Sequence, residues 1–534
     1  MLKAILLSSA LFISLNAEIT LSEIDSKPAS RAKNFLIWQY LKQDINSTQA
    51  DYAYKQILGE HSKLNRLYLK KSSNEKLEYK IACQKKLNLL KIVNQECFNY
   101  AMKPYKTFRL TNKERIEISS RLTSKWKLNL LKIQSEIPKE SNYIKYDKDT
   151  VLRMFLNVNK KFRRENLNIF LSKKFINELS KSSKMTPFIK LIFRDKKLNK
   201  LQHSLLQVDG KYLDFYGNFL LALYNLKSSN KQEAMKHLIL SNMKSKKRIN
   251  RDKSRFWMYL ITHKNEHLQK LLLSMDINIY TLYAHEKLNK PVVNFFTTTD
   301  IMDEQNNIDI QDPFEWNNIL KIIRQTPKEK LFELAKSYKK ANMPAVNTFI
   351  LEKAYAFKMH GYILPYEKYL KDVSVNDKAL IYSIMRQESN YIPAALSRSF
   401  ALGLMQLMPF LVDSLSKQKG ENIEYKDMFN PQKNIEYSIK HLTWMKRKLS
   451  HPLFLAYAYN GGTGFLRKHF KTGAFNPGDY EPFLSMELMA NSQSREYGKK
   501  VLANYVMYKK ILGEEISILT LFDNAIRQKK TLPH

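Results

Sequence analysis

The stretch Ala379–Ser389, which reads ALIYSIMRQES, decides the fold of the C-terminal part of the chain. Asn376 can cap a helix that runs through this stretch. Four of its side chains are spaced by three, one and three residues, so a helix places a carboxylate on the same stripe as three apolar side chains. These four residues are Ile381, Ile384, Met385 and Glu388. The spacing therefore predicts a buried or half-buried Glu388.

A glutamate in such a position has two interpretations. Burial disfavours the charged form and raises the pKa of the carboxyl, which suits a general acid that works near neutral pH. Alternatively, Glu388 is a structural carboxylate paired with an arginine or a backbone group. The spacing alone leaves both interpretations open.

Three further motifs follow Glu388 in order. Ser397 lies nine residues after it, Gly403–Pro409 reads GLMQLMP, and Ala458–Gly462 reads AYNGG. Together they resemble the soluble lytic murein transglycosylases, whose hallmarks are Glu-Ser, a serine nine residues after the glutamate, Gly-Leu-Met-Gln-x-Met-Pro and Ala-Tyr-Asn-Ala-Gly. The resemblance covers about Asp377–Leu512. It implies a lysozyme-like, goose-type transglycosylase domain in this region.

The resemblance also implies roles for individual residues. Glu388 matches the catalytic acid/base of the family, and five other positions match residues that line its sugar groove: Ser397, Gln406, Met408, Tyr459 and Asn460. Such side chains suit a glycan, because amides and hydroxyls bind sugar hydroxyls without adding charge and apolar faces cover pyranose rings. Taken singly, the methionines could equally be core residues.

The chain departs from the family pattern at several positions. Phe400 stands where the family usually has glycine, Gly461 replaces alanine and Thr463 replaces proline. Gln493 stands where the family commonly has a glutamate at the groove wall, so hydrogen bonding is kept and negative charge is lost. Glu496 is no obvious substitute, because it lies three residues further along the helix.

The sequence offers no clear second catalytic carboxylate. Ordinary glycosidases use two carboxylates, whereas the next acid after Glu388 is Asp413, which belongs to no motif. The resemblance implies that Glu388 protonates the oxygen between N-acetylmuramic acid and N-acetylglucosamine and then deprotonates the C6 hydroxyl. The expected product is a 1,6-anhydromuramic end, formed during cell-wall turnover and remodelling.

The rest of the chain is predicted to be helical. Only 13 Gly and 16 Pro occur in 534 residues, which favours helices over turn-rich β folds. Residues 18–299 show amphipathic stretches without strand alternation, which predicts an irregular α-superhelix or solenoid. The expected domains are this superhelix, a helical linker domain at 300–370, the catalytic domain at 371–512 and a C-terminal tail at 513–534. Helices are expected, among other places, at Phe35–Leu41, Leu87–Val93, Val151–Phe155, Phe219–Leu226 and Phe256–Ile261.

The first 17 residues indicate the compartment. Residues 1–17, MLKAILLSSALFISLNA, have an early lysine, a short apolar run and a small residue at Ala17, as in a cleavable signal peptide. The run is too short for a membrane anchor, so we expect a periplasmic protein without a transmembrane anchor. The only two cysteines, Cys83 and Cys97, can close a disulfide there or remain buried thiols. No metal-ligand pattern is present, and neither a metal nor a cofactor is expected.

The net charge limits the classes of partner that are expected, but it does not identify one partner. Lys and Arg exceed Asp and Glu by 89 to 50, a formal net charge of +39, which indicates an acidic partner. With an exported chain we expect peptidoglycan glycan strands, with possible envelope or cell-wall synthesis complexes, rather than specific nucleic acid. A penicillin-recognising serine enzyme is disfavoured. Ser414–Lys417 matches its Ser-x-x-Lys motif and Lys471–Gly473 matches its Lys-Thr-Gly motif, but no Ser-x-Asn or Tyr-x-Asn lies between them, so coincidence is the better explanation. The alternative function is a non-catalytic basic α-solenoid that scaffolds cell-wall glycan or envelope complexes.

Overall fold

The structure is a computed structural model that describes residues 18–72, 74–298, 301–305 and 307–528. Helices account for 62% of the residues that the structure describes, which confirms the predicted, mainly all-α class. In the described part the only strands are β1 (Phe295–Phe296) and β2 (His360–Gly361), which pair in parallel. The signal peptide predicted for residues 1–17 lies outside the described residues.

The chain packs as two compact units. The first unit contains the described residues of 18–72, 277–279 and 291–528, and the second contains residues 74–276 and 280–290. This packing joins residues 18–72 to the C-terminal region, whereas the domain boundaries predicted from the sequence separate them. The predicted boundaries remain a proposal about domain organisation.

The first unit opens with four short helices: α1 (Leu21–Ser26), α2 (Arg31–Tyr40), α3 (Ser47–Lys55) and α4 (Ser62–Tyr68). Ser30 begins α2, because its hydroxyl accepts a hydrogen bond from the Lys33 amide, a donor with no partner inside the helix. Phe35 and Trp38 are buried on this helix. The N-terminal segment therefore has an apolar face that packs within the first unit.

The second unit consists of short amphipathic helices, in agreement with the predicted irregular helical pattern. The helices are α5 (Glu75–Lys85), α6 (Gln95–Ala101), α7 (Pro104–Thr107), α8 (Asn112–Ser119), α9 (Lys125–Gln134), α10 (Glu140–Tyr143), α11 (Lys148–Asn157), α12 (Lys160–Asn166), α13 (Lys173–Leu179), α14 (Met185–Arg194), α15 (Asn199–Leu205), α16 (Phe215–Lys227), α17 (Lys231–Lys244), α18 (Arg248–Thr262), α19 (Asn265–Leu272) and α20 (Ile279–Lys287).

A disulfide joins two of these helices. Cys83 on α5 and Cys97 on α6 are bonded, with their Cα atoms 5.1 Å apart, so of the two alternatives left open by the sequence the disulfide is the one that forms. The helix predicted at Leu87–Val93 is wrong, because this segment is the turn between α5 and α6. The Asn88 side chain accepts from the Leu90 amide, a local bond that competes with helix formation.

The first unit continues with eleven labelled helices: α21 (Pro313–Gln325), α22 (Leu331–Ser337), α23 (Pro344–Ala354), α24 (Val375–Ser389), α25 (Pro409–Lys419), α26 (Pro431–Lys446), α27 (Pro452–Gly461), α28 (Thr463–Phe470), α29 (Phe483–Leu488), α30 (Ser492–Ile511) and α31 (Ile518–Arg527). Short 3₁₀ helices lie at Lys328–Lys330, Glu367–Tyr369 and Tyr425–Phe429. No helix among the described residues is long and apolar enough to cross a bilayer.

The helix that carries Glu388, α24, begins two residues before its predicted start. Ser374 caps it, since the Ser374 hydroxyl accepts from the Asp377 amide. The cap predicted at Asn376 is wrong, because Asn376 lies inside the helix. Its side-chain oxygen instead accepts from the Lys509 ammonium at 2.8 Å, which ties α24 to α30.

The region predicted as a C-terminal tail contains a packed helix. Ile518, Leu521 and Phe522 on α31 are buried, and His451 Nε2 lies 2.8 Å from the Leu521 carbonyl oxygen. Burial of three large apolar side chains removes enough surface from water to hold such a short helix. Residues beyond the predicted end of the catalytic domain thus contribute to the core of the first unit.

Candidate active site

Glu388 lies in the last turn of α24. Ile381, Ile384 and Met385 are buried on the same helix, as the spacing predicts. The Tyr497 hydroxyl on α30 donates a 2.8 Å hydrogen bond to Glu388 Oε1. Burial raises the pKa of Glu388 to about 7, although the Tyr497 hydrogen bond opposes this shift. The carboxyl can therefore exist in both protonation states near neutral pH.

The alternative interpretation, a structural ion pair at Glu388, finds no support in the contacts. The nearby arginine, Arg386, pairs with Glu352 at 2.6 Å, and both side chains are largely buried. Among the described residues, no basic group forms an ion pair with Glu388. Its hydrogen-bond partner is a neutral phenol, and burial raises the pKa of this Tyr497 hydroxyl as well.

A cavity of about 350 Å³ opens in front of Glu388. Helices α2, α21 and α23 provide one part of its lining, and the end of α24 with the segment 394–406 provides the other. The lining residues are Arg31, Ala32, Pro313, Trp316, Asn317, Leu320, Phe349, Glu388, Ser389, Asn390, Ala394, Ala395, Leu396, Ser397 and Gln406. All of them belong to the first unit.

Glu388 is the only carboxylate among the described residues that line this cavity. Asp413, the next acid in the sequence, lies outside the lining and accepts a 3.0 Å hydrogen bond from the Tyr425 hydroxyl. Folding therefore does not place Asp413 opposite Glu388. The cavity has one acid/base group instead of the carboxylate pair of ordinary glycosidases.

Two predicted sugar-binding residues lie in the same cavity. The Ser397 hydroxyl accepts from the Ala401 amide at 2.8 Å and so stabilises the turn after it. Gln406 has a left-handed backbone, with φ of 51°. Its side-chain nitrogen donates to the carbonyl oxygens of Ala395 and Gly403, each at 2.9 Å. These bonds fix the amide group, and its oxygen has no partner among the contacts described.

The other predicted site residues lie outside the cavity lining. The Tyr459 hydroxyl donates to the Met405 carbonyl oxygen at 2.7 Å, and burial together with the nearby Glu388 charge raises the pKa of Tyr459. The Asn460 side-chain oxygen accepts from the Ser494 hydroxyl. Met408 is half-buried before α25, and Gln493 is exposed at the start of α30. Of these four residues, Tyr459 is thus the one whose pKa responds to the charge of Glu388.

Glu496 does not replace the negative charge that Gln493 lacks. Its carboxylate forms ion pairs with Arg495 Nε at 2.9 Å and Lys499 Nζ at 3.0 Å. These two cations are almost fully buried. The carboxylate is thus held by cations of its own helix.

Several cavity residues carry no sequence signal. Arg31, Trp316, Asn317 and Phe349 belong to no recognised motif, and they come from helices far from Glu388 in the chain. Trp316 and Phe349 meet edge to face, with ring centroids 5.5 Å apart. Their apolar faces add a wall of the kind that stacks on sugar rings.

Comparisons with known proteins agree on the C-terminal region. Residues 366–479 match the family model described as "Transglycosylase SLT domain". A similar protein is the membrane-bound lytic murein transglycosylase C of Edwardsiella ictaluri, which is 30% identical over 155 residues, or 25% of this chain and 43% of that protein. The soluble lytic murein transglycosylase of Salmonella typhimurium is 27% identical over 28% of this chain and 23% of its own length. The matches thus span less than half of either relative.

Two solved structures resemble most of the chain. One is an inactive glutamate-to-glutamine mutant of the lytic transglycosylase Slt from Pseudomonas aeruginosa, with a TM-score of 0.51, 15% identity, and coverage of 92% of this chain and 88% of the other. The second is the 70 kDa soluble lytic transglycosylase of Escherichia coli, with a TM-score of 0.52, 14% identity, and coverage of 95% and 84%. At these identities the similarity establishes the fold.

Proposed function

We propose that this chain, which carries a transglycosylase SLT domain in its C-terminal region, is a lytic murein transglycosylase. Its substrate is peptidoglycan, in which it cleaves the β-1,4 bond between N-acetylmuramic acid and N-acetylglucosamine. The observation that carries the proposal is the isolated Glu388 carboxyl, which faces a cavity and has a pKa of about 7. The matched domain and the named relatives support the choice of substrate.

The reaction needs one group that gives a proton and then takes one. Protonated Glu388 donates to the glycosidic oxygen as the bond from C1 of the muramic acid breaks, so N-acetylglucosamine leaves as an alcohol. The substrate's own N-acetyl oxygen stabilises the positive charge at C1. Glu388, now ionised, removes the proton from the C6 hydroxyl, and this oxygen bonds to C1. The product is a 1,6-anhydro end, no water is consumed, and the carboxyl is protonated again.

The surroundings of Glu388 suit both steps. Burial favours the neutral acid before cleavage, and the Tyr497 hydroxyl stabilises the carboxylate after it. The Gln406 amide, fixed by two backbone carbonyls, offers its oxygen to a hydroxyl or N–H of the sugar. An attack within one molecule is fast because the C6 hydroxyl is already close to C1.

The proposed setting is the periplasm, where the enzyme would act in turnover and remodelling of the wall. The predicted signal peptide and the chain's charge of +39 support this setting, because peptidoglycan stems carry carboxylates that a basic protein attracts. Ser397, Met408, Tyr459, Asn460 and Gln493 are proposed to contact glycan beyond the catalytic bond.

The decisive experiment is mass spectrometry of products released from purified sacculi in H₂¹⁸O. We expect anhydro ends without ¹⁸O from the full chain and no release from Glu388→Gln. Reducing ends that carry ¹⁸O would identify a hydrolase and refute the proposal. Binding to sacculi without any release by the wild type would indicate the alternative, a non-catalytic scaffold.

A further inference from the structure

The N-terminal segment is anchored next to the catalytic cavity. Phe400 has a φ of 61° and is fully buried. His61 stacks on it with a centroid distance of 4.4 Å, while the rings of Phe35 and Trp38 lie 5.3 Å and 5.5 Å away. Phe400, which stands where the family usually has glycine, is therefore the residue against which the N-terminal helices pack.

Three side chains of the N-terminal segment also form contacts with backbone carbonyl groups of the loop 396–399, which directly precedes Phe400. The carbonyl oxygen of Leu396 accepts from Arg31 Nη1 at 2.9 Å, that of Arg398 lies 2.7 Å from His61 Nε2, and that of Ser399 accepts from the Lys63 ammonium at 2.6 Å. The loop begins in the cavity lining. These bonds fix helices α2 and α4 against the loop, and the bond from Arg31 itself defines where its guanidinium lies.

Arg31 brings an uncompensated positive charge to the cavity. One of its N–H groups is used by Leu396, and no carboxylate among the described residues forms an ion pair with it. Glu388 lines the same cavity, but its raised pKa leaves it largely uncharged on the acidic side of neutrality. A guanidinium has five N–H donors in a fork that matches a carboxylate, so most of its capacity remains available to a ligand.

We propose that Arg31 is a specificity-determining residue that binds a carboxylate on the muramic acid side of the substrate. This inference rests on the proposed function. Muramic acid carries a lactyl group at C3, and its carboxyl is either joined to a peptide stem or free. The recognised carboxylate therefore belongs to the stem or to the free lactyl group, and the sugar rings themselves are neutral. A charge-assisted bond to arginine is stronger than a neutral hydrogen bond.

The test compares three glycan substrates at low salt: strands with peptide stems, strands stripped of stems with free lactyl carboxylates, and stripped strands whose lactyl groups are methylamides. The readout is kcat/KM for release of anhydro ends. Arg31→Gln is expected to lower kcat/KM about tenfold on one or both carboxylate-bearing substrates and less than twofold on the methylamide. The substrate that shows the loss identifies which carboxylate is bound.

Two further variants separate recognition from folding. Arg66→Gln removes the same charge from an exposed position of α4 outside the cavity, and all three substrates should be cleaved within twofold of wild type. Arg31→Lys keeps the charge but not the fork, so an intermediate loss confined to the same substrates is expected.

An equal reduction of kcat/KM by Arg31→Gln on carboxylate-bearing and neutral strands would overturn the inference, because the residue would then only hold the Leu396 carbonyl. No loss on any strand would overturn it as well. The proposed function fails by a different result, which is the absence of anhydro ends from every substrate with the wild-type protein.

Discussion

Glu388→Gln is expected to abolish cleavage and, above about pH 4.5, to stabilise the folded protein by an amount that grows up to about pH 7. Glutamine has nearly the same volume, and its side-chain oxygen can still accept the Tyr497 hydroxyl. It can neither donate the glycosidic proton nor take one from the C6 hydroxyl. Each of these proton transfers contributes roughly 10²- to 10⁴-fold, so turnover should fall below detection.

The stability change follows from the pKa of Glu388. The carboxyl has a pKa of about 7 in the folded chain against an ordinary value of 4.5, so the folded state binds the proton more tightly than the unfolded state. Below pH 4.5 the carboxyl is protonated in both the folded and the unfolded state, so the free-energy cost of burying an ionised carboxylate is absent. It grows between pH 4.5 and pH 7 and is complete above pH 7, where 2.5 pH units correspond to about 3 kcal/mol. The carboxyl is partly exposed, and we expect about 1–3 kcal/mol.

The assay measures thermal melting of wild type and Glu388→Gln at pH 4.5 and pH 8, together with anhydro-end release at pH 6. The variant should melt a few degrees higher at pH 8 and at the same temperature at pH 4.5. An equal gain at both pH values, or a lower melting temperature at pH 8, would refute the burial argument. Release within tenfold of the wild-type rate would refute the catalytic role.

Tyr497→Phe removes a hydrogen bond that favours ionised Glu388, so the pKa of Glu388 should rise. The alkaline limb of the pH–rate profile should then move to higher pH, and an unchanged limb would contradict this expectation. Phe400→Ala should cost about 3–5 kcal/mol and lower the melting temperature of the first unit, whereas Phe410→Ala, at an exposed position, should not. Replacing Cys83 and Cys97 by alanine opens a link across 14 residues and should destabilise the second unit by about 3 kcal/mol. Faster hydrogen exchange confined to that unit would show the effect, and unchanged exchange would contradict it.

Local spacing within the sequence is sufficient to predict that Glu388 is buried beside apolar side chains, but not to decide between its catalytic and structural interpretations. Helical periodicity places the carboxyl beside Ile384 and Met385, and burial of that stripe accounts for its raised pKa. The motifs at Ser397 and Gln406 are close in the chain to Glu388, so a short connection brings them to one cavity. The mainly helical fold also follows from local composition and patterning.

The helix boundaries were less predictable, because side-chain hydrogen bonds compete for the same positions. Ser374 and Asn376 are both good caps, and packing against Lys509 decides that Asn376 lies inside the helix. The turn at Asn88 is decided in the same way, by a local hydrogen bond within an otherwise amphipathic segment.

Only the tertiary structure brings the N-terminal segment to the site. Nothing in the spacing around Arg31 indicates that it shares a cavity with Glu388, because the aromatic contacts that hold α2 join residues far apart in the chain. Phe400 could be noted from the sequence as a departure from glycine, but its function as an anchor depends on His61 and its neighbours. Periodicity and motifs report a residue's own segment, whereas the walls of a cavity depend on which segments pack together, and that is determined by the free energy of the whole fold.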